Sequence, residues 1–280
     1  MLSDRLTWCR HRRTFAQCGL LLMMLFGFST AKALDLYVDP AGVCGNLSPC
    51  YRNLKKAIAA ASMTGGDHIN LFVGTYSGAI VIDRPLVLRK SPFGNPGEGM
   101  PSINAAPNRK GDSYSTILVT AGPTLIEGVR VVATNRIRVE YGATTISVQA
   151  NDVTIANSVV IAEGTGDNHG IDVTHCENVT ITGNQIMVRG SSGVLLGFTE
   201  NSVVTGNKIR AGQGVDGYEN VHDTIVANQI DGFIHERSTK SNRIAGNAVL
   251  GVREDSKNCR NVWLGNTYQD AYSQYGCPLD

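Results

Sequence analysis

The chain has 280 residues, 18% of them charged, 42% hydrophobic and 6% aromatic, with formal net charge +1. Such a composition describes an ordered protein of modest surface charge, and the absence of a basic excess argues against a nucleic-acid surface. Removing an exported leader over residues 1–33 takes away five basic residues and one acidic residue, which leaves 20 and 23 and a net charge of about −3.

That leader comes first in chain order. It has a basic start (Arg5, Arg10, Arg12, Arg13), an apolar run from Cys18 to Phe28 and a small-residue site, Ala31–Lys32–Ala33, ahead of Leu34. The pattern is that of a secretory signal peptide, with an apolar run too short to span a bilayer. Arg12–Arg13–Thr14–Phe15 also has the form of a twin-arginine signal, so the export route stays open. No later stretch reads as a membrane span. The mature chain, 34–280, is expected to be one exported domain, periplasmic or secreted, and a monomer.

Leu36–Tyr37–Val38–Asp39 reads as a short strand. Arg52 to Ser62 carries Leu54, Ala57, Ile58 and Ala61 at helical spacing and predicts an amphipathic helix that caps the amino end. The first coil is expected to start at Ile69–Val73, turn at Gly74–Thr75–Tyr76 and continue through Ala79–Ile82 and Leu86–Leu88. Lys90 to Ser113, rich in Gly, Pro and Asn, reads as an excursion from the wall, either flanking a substrate groove or of no consequence.

A repeat then sets in. An apolar strand runs into asparagine at Asn157, Asn184, Asn207, Asn228, Asn247 and Asn266, at spacings of roughly 27, 23, 21, 19 and 19. A unit this short has room for three strands and three bends, one turn of a parallel β-helix, and about eight coils are expected. Asparagine tolerates the left-handed conformation of a tight bend, and stacked copies can form an amide ladder. Gly170, Gly193, Gly214, Gly232 and Gly251, each 14 or 15 positions before the matching asparagine, mark a second column. Two residues after them come Asp172, Leu195, Asp216, Ile234 and Arg253.

Tyr37–Val38–Asp39, Ala57–Ala61 and Phe72–Val73–Gly74–Thr75–Tyr76, with Ile80 and Leu86, resemble the opening of pectin-lyase-like right-handed β-helix proteins, and the asparagine rungs resemble that superfamily's repeats. The resemblance covers Leu34–Asp280. It implies an all-β, right-handed parallel β-helix, and enzymes and non-catalytic surface proteins share that fold.

The densest ionisable set lies beside the glycine column: Asp167, His169, Asp172, His175, Asp216, Tyr218, His235, Glu236, Arg237, Glu254 and Asp255. Asp167–Asn168–His169 is similar to the Asp-Pro-His motif of mannuronan epimerases and related lyases, with Asn168 where proline is expected. That likeness implies a carboxylate and an imidazole removing a C5 proton beside a uronate carboxyl. Catalytic candidates are therefore Asp167, His169 and Asp172, with Tyr218 as acid. Arg210, Asp216 and His235 are substrate-binding candidates. Asp172 and Asp216, two coils apart, are about 9.6 Å apart, beyond the retaining geometry of glycoside hydrolysis. The paired aspartates and basic strand of polygalacturonases, the Gly-Arg-Pro-Trp strand of the esterases and the calcium site of pectate lyases are absent in recognisable form.

Of the cysteines left after export, Cys44–Cys50 and Cys259–Cys277 read as disulfides, and Cys176 as a buried thiol. No metal or other cofactor is indicated by a motif, although a coil bend could take Ca²⁺. Two functional classes follow: a lyase or C5-epimerase on a uronate-containing polysaccharide, or a non-catalytic β-helix that binds glycan or serves the cell envelope.

Overall fold

The computed structural model describes residues 33–94, 99–105, 108–110, 113–134, 143–163 and 167–279. Apart from Ala33, the expected signal segment lies outside the described residues. The rest is nearly all β. Parallel strands stack into an eleven-stranded sheet and a fifteen-stranded sheet that curls through two further columns. This is the arrangement of a parallel β-helix.

One repeat shows how the chain closes a coil. Strand Thr180–Thr182 belongs to the eleven-stranded sheet, Gln185–Val188 to the second column and Ser192–Gly197 to the third; Val203–Thr205 then lies beside Thr180–Thr182. Alternation along each strand puts Ile181, Ile186, Val194 and Leu196 inside, where they are fully buried. In-register stacking repeats this from coil to coil: Ile155, Ile181, Val204, Ile225, Ile244 and Trp263 form one interior column. Strands within the stack are paired on both sides and need no apolar face beyond their own interior, while end strands such as Val262–Leu264 are paired on one.

The bends explain the asparagines. The left-handed residue is the one before the ladder position: Asn157, Gly183, Gly206, Ala227, Gly246 and Gly265 have φ between 48° and 64°. The ladder residue itself turns inward. Asn207 Oδ1 accepts from the Asn184 backbone N–H at 2.9 Å and from Asn184 Nδ2 at 3.0 Å. Asn207 Nδ2 donates to the Ile181 carbonyl at 2.8 Å and to Asn228 Oδ1 at 3.0 Å. The ladder continues through Asn247 to Asn266. It does not include Asn157, which is exposed. Register pairs Val159 with Gln185, so Ser158 takes the interior position and its N–H donates to Asn184 Oδ1 at 2.9 Å. A second ladder runs along another bend, where the Ser202, Asp223 and Asn242 N–H groups donate to Asp223, Asn242 and Asn261 side-chain oxygens.

Several expectations are corrected. The first sheet holds ten stacked strands from Asp35–Val38 to Val262–Leu264, not about eight, because Asp35–Val38 already pairs in parallel with His68–Leu71. The predicted helix is shorter, Leu54–Ala60; Asn53 starts it by accepting from the Lys56 N–H, and Leu54, Ala57 and Ile58 are buried. Ser102–Ala105, inside the presumed excursion, is a rung paired with Thr75–Ser77 and Arg130–Ala133. Asn108–Lys110 folds back antiparallel on Ser113–Val119. The glycine column holds for Gly170, Gly193 and Gly214 but not beyond. A bulge leaves Gly214 unmatched, pairs Gln213 with Phe233 and puts His235, rather than Ile234, in line with Asp216. Cys44–Cys50 and Cys259–Cys277 are disulfides, and Cys176 is buried.

Replacing Asn207 by Leu strands the Asn184 N–H and the Ile181 carbonyl inside the coil and should destabilise by about 1–3 kcal/mol in urea unfolding. Asn157→Ala, at an exposed bend, should cost less than about 1 kcal/mol, mainly through the left-handed backbone it must hold. Equal costs at the two positions would refute the assignment of the ladder.

Candidate functional site

The third column presents a half-buried polar face. Asp172, Leu195, Asp216, His235 and Arg253 lie in register on successive coils. Beside them run Thr174, Gly197, Tyr218 and Arg237. Asp172 and Asp216 are thus two coils apart, as the spacing predicts.

The bonding centres on Asp216 and His235, whose side chains are only 6% and 12% exposed. Arg237 Nη2 donates to Asp216 Oδ2 at 2.8 Å. His235 Nε2 donates to Asp255 Oδ2 at 2.7 Å. The remaining atoms, His235 Nδ1 and Asp216 Oδ1, face each other at 3.7 Å, and both are buried without a hydrogen-bond partner. With Nε2 donating, an imidazole lone pair and a carboxylate oxygen would confront each other there unless one carries a proton. The two atoms thus face each other across a gap too long for a hydrogen bond. Burial raises the Asp216 carboxyl above its usual value, against the pull of Arg237 and His235.

His169 lies near both acids, and its charge acts on Asp172 and on Asp216. Its Nδ1 is buried without a hydrogen-bond partner. Burial also raises Asp172, although Thr174 Oγ1 donates to its Oδ1 at 2.5 Å. Asp167 is exposed in the bend before the strand His169–Thr174. The Tyr218 phenol is held above its usual value, first by its hydrogen bond to Glu219. It packs edge-on against Phe198 at 5.3 Å, Phe198 stacks on His175 at 4.6 Å, and the Arg237 guanidinium lies 5.6 Å from the Tyr218 ring centre.

Two of the acids grouped with this face in the sequence point the other way. Alternation turns Glu236 and Glu254 inward, in register and fully buried. Glu254 is well satisfied: Trp263 Nε1 and Asn261 Nδ2 donate to Oε2 and the Ser256 N–H to Oε1. Glu236 receives Asn242 Nδ2 at 3.0 Å, while its Oε1 has no partner. Burial pushes the Glu236 carboxyl up to about 8, opposed by the Asn242 bond and reinforced by the Glu254 charge. Gly217, in register one coil earlier, makes room, since a Cβ there would sit 2.6 Å from a Glu236 carboxylate oxygen. The register shift that puts His235 in line with Asp216 is what turns Glu236 inward, and alternation alone does not show it.

Arg210 is not part of this face. It sits on the second column, paired with Asp231 at 3.3 Å, at a groove of about 1020 Å³ along the corner between the second and third columns. The larger concavity and the titratable cluster thus occupy different sides of that corner. The chemistry of proton transfer favours the cluster as the candidate reactive site.

Among the described residues, no helix is long and apolar enough to cross a membrane. The family model for NosD, described as periplasmic copper-binding protein (NosD), matches residues 108–275. No curated protein matches the sequence. The chain is similar in structure to Escherichia coli ybhc (TM-score 0.53, 10% identity, covering 88% of this chain and 86% of that one) and to the pectin methylesterase PemA from Erwinia chrysanthemi (TM-score 0.50, 11% identity, 89% and 91%). At such identities the likeness establishes the pectin-lyase-like fold.

Because the Glu236 carboxyl titrates higher in the folded chain than its ordinary 4.5, the folded state holds the extra proton between about 4.5 and about 8. Its contribution is complete below that window and is lost as pH rises through it. The melting temperature should fall as pH is raised through the window, and Glu236→Gln should flatten that fall and raise the melting temperature at its alkaline end. An unchanged pH profile in the variant would exclude Glu236 as the titrating group.

Proposed function

The chain belongs to the NosD family of periplasmic proteins, and we propose that it is an exported β-helix that acts on a uronate-containing polysaccharide, as a lyase or C5-epimerase. The observation that carries the reading is the half-buried column of His169, Asp172, Asp216 and His235, with Arg237 and Tyr218 at its edge. His169 lies near Asp172 and Asp216, whose carboxyl groups burial raises, and supplies an imidazole that can accept a proton.

In the proposed step His169, helped by Asp172, removes the C5 proton beside the uronate carboxylate. Arg237 meets the charge that develops on that carboxylate. In elimination, the electron pair left at C5 forms the C4–C5 double bond as the C4–O bond breaks. The Tyr218 phenol then gives its proton to the departing oxygen. In epimerisation, the proton returns to C5 from the opposite face. Asp216, His235 and Asp255 stay behind this front as positioning residues. Export fits the two disulfides, with cleavage after Ala33. Leu34–Asp280 is proposed as one right-handed unit, as parallel crossovers nearly always are. The helix Leu54–Ala60 packs on Asp35–Val38 and Ile80–Ile82 and would cover the first coil.

The family description names copper. Among the described residues no group of three or more His, Cys, Asp or Glu is placed to hold a metal ion. His235 is bonded through Nε2 to Asp255, and its other nitrogen faces the acid already held by the Arg237 cation. This donor set does not fit copper, and no step is derived through it.

A second reading, a non-catalytic glycan-binding protein, is favoured by one observation: Asp216 and His235 are already tied to Arg237 and Asp255. Incubation with alginate and polygalacturonate, with and without Ca²⁺, followed by ultraviolet absorbance of unsaturated uronate and by proton spectra, separates the two. His169→Ala and Asp172→Asn should each cost at least about 10²-fold in rate at an unchanged melting temperature. Binding without turnover of any polyuronate would establish the second reading.

A further inference from the structure

The groove at the corner between the second and third columns is a place apart from the reactive column. Ile161, Met187, Arg210 and Asp231 line it in register on successive coils, followed by Leu250. From Ile161 to Leu250 is four coil steps, roughly 19 Å. A second depression of about 630 Å³ shares Met187, Arg210, Asp231 and Leu250 and carries the trough on to Tyr268 and Gln269. Its shape is therefore that of a channel along the solenoid axis, long enough for several units of an extended chain.

Its corner is kept narrow by small residues. A Cβ at Gly232 would sit 2.1 Å from the Ala211 carbonyl oxygen, so the backbone of the two coils meets there without side chains between. Met187 and Leu250 are large apolar groups left exposed on the walls. Phe233 adds an aromatic face, with the Arg253 guanidinium 4.8 Å from its ring centre.

The charges choose the occupant. Arg189 and Arg210 line the channel, with Lys208 on the adjoining depression and Arg253 over Phe233; the acids are Glu163 and Asp231. Arg189 and Arg210 balance Glu163 and Asp231 in the channel, and Lys208 adds one positive charge where the second depression joins it. The pair between Arg210 and Asp231 is held loosely, with side chains 80% and 60% exposed at 3.3 Å. Exposed pairs of this kind contribute little, and the guanidinium can exchange Asp231 for a carboxylate that meets it bidentately.

We propose that this channel binds an anionic polysaccharide along the solenoid axis, with Arg210 taking a uronate carboxylate in place of Asp231 and with Met187, Leu250 and Phe233 against the apolar faces of the sugar rings. The proposal rests on the polyuronate reading given above and adds to it a binding site distinct from the reacting residues. Asp231 then acts as an internal competitor for the ligand's carboxylate.

The test uses the mature chain, polygalacturonate and alginate oligosaccharides, and dextran as an uncharged control, with binding measured by calorimetry. Arg210→Ala should weaken polyuronate binding at least about 5-fold, and Asp231→Asn should strengthen it by about 3-fold by freeing Arg210. Both effects should shrink at high salt. Neither exposed substitution should move the melting temperature. Parent-like affinity in both Arg210→Ala and Asp231→Asn would overturn the channel while leaving the polyuronate reading intact. Weakened binding by Arg210→Ala in a parent that turns over nothing would support the channel and remove the catalytic reading. No polyuronate binding by the parent would overturn both.

Discussion

Everything in this molecule depends on one contact, repeated: a buried asparagine that gives its side-chain oxygen to the coil before it and takes the oxygen of the coil after it. Asn184, Asn207, Asn228 and Asn247 do this in sequence, and Asn266 receives the last bond. Each amide also closes a carbonyl of the preceding coil, as Asn207 does for Ile181. A slip of one residue would break several buried bonds at once and turn apolar side chains outward. The ladder therefore fixes register, and register decides which side chains face out together.

The same constraint makes a polar interior tolerable. Bends bring three backbone turns per coil into a core only a few side chains wide, and their N–H groups must find partners. Asp223 shows the consequence: its Oδ1 accepts the Ser202 N–H, and Thr199 Oγ1 donates to Oδ2 at 2.5 Å. Glu254 is similarly held by Trp263, Asn261 and Ser256. Glu236 is less fully held, with Oε1 unpartnered, and burial drives its carboxyl up.

Much of this was legible in the sequence, for a physical reason. A repeated coil imposes repeated demands, and asparagine and glycine meet them in ways few other residues can. The third column's face was legible too, since Asp172 and Asp216 fall two coils apart by counting. What escaped was local parity. Asn157 has the right chemistry but stands one position early, where left-handed backbone rather than an inward amide is required, and Ser158 serves instead. The bulge at Gly214 shifts the later coils by one, so that His235 replaces Ile234 in line with Asp216. The change from 14 to 15 in the glycine-to-asparagine spacing was the trace of that bulge. Glu236 and Glu254 were grouped with an outer face because composition counts charges without asking which side of the strand they occupy.

The bulge also has a functional consequence. With the register of Gln213 on Phe233 carried through, Asp216 would stack on Glu236, one acid upon another. Removing one residue from the next coil places an imidazole there instead, and the same shift brings Arg237 alongside Tyr218 and onto Asp216 Oδ2. It also sets Phe233 at the corner where the channel runs. Two adjacent shifts of register thus assemble the Asp216–His235 pair on one side of the corner and the aromatic wall of the channel on the other. The regular ladder is what makes such a departure informative, because the asparagine rungs keep their register while the third column shifts.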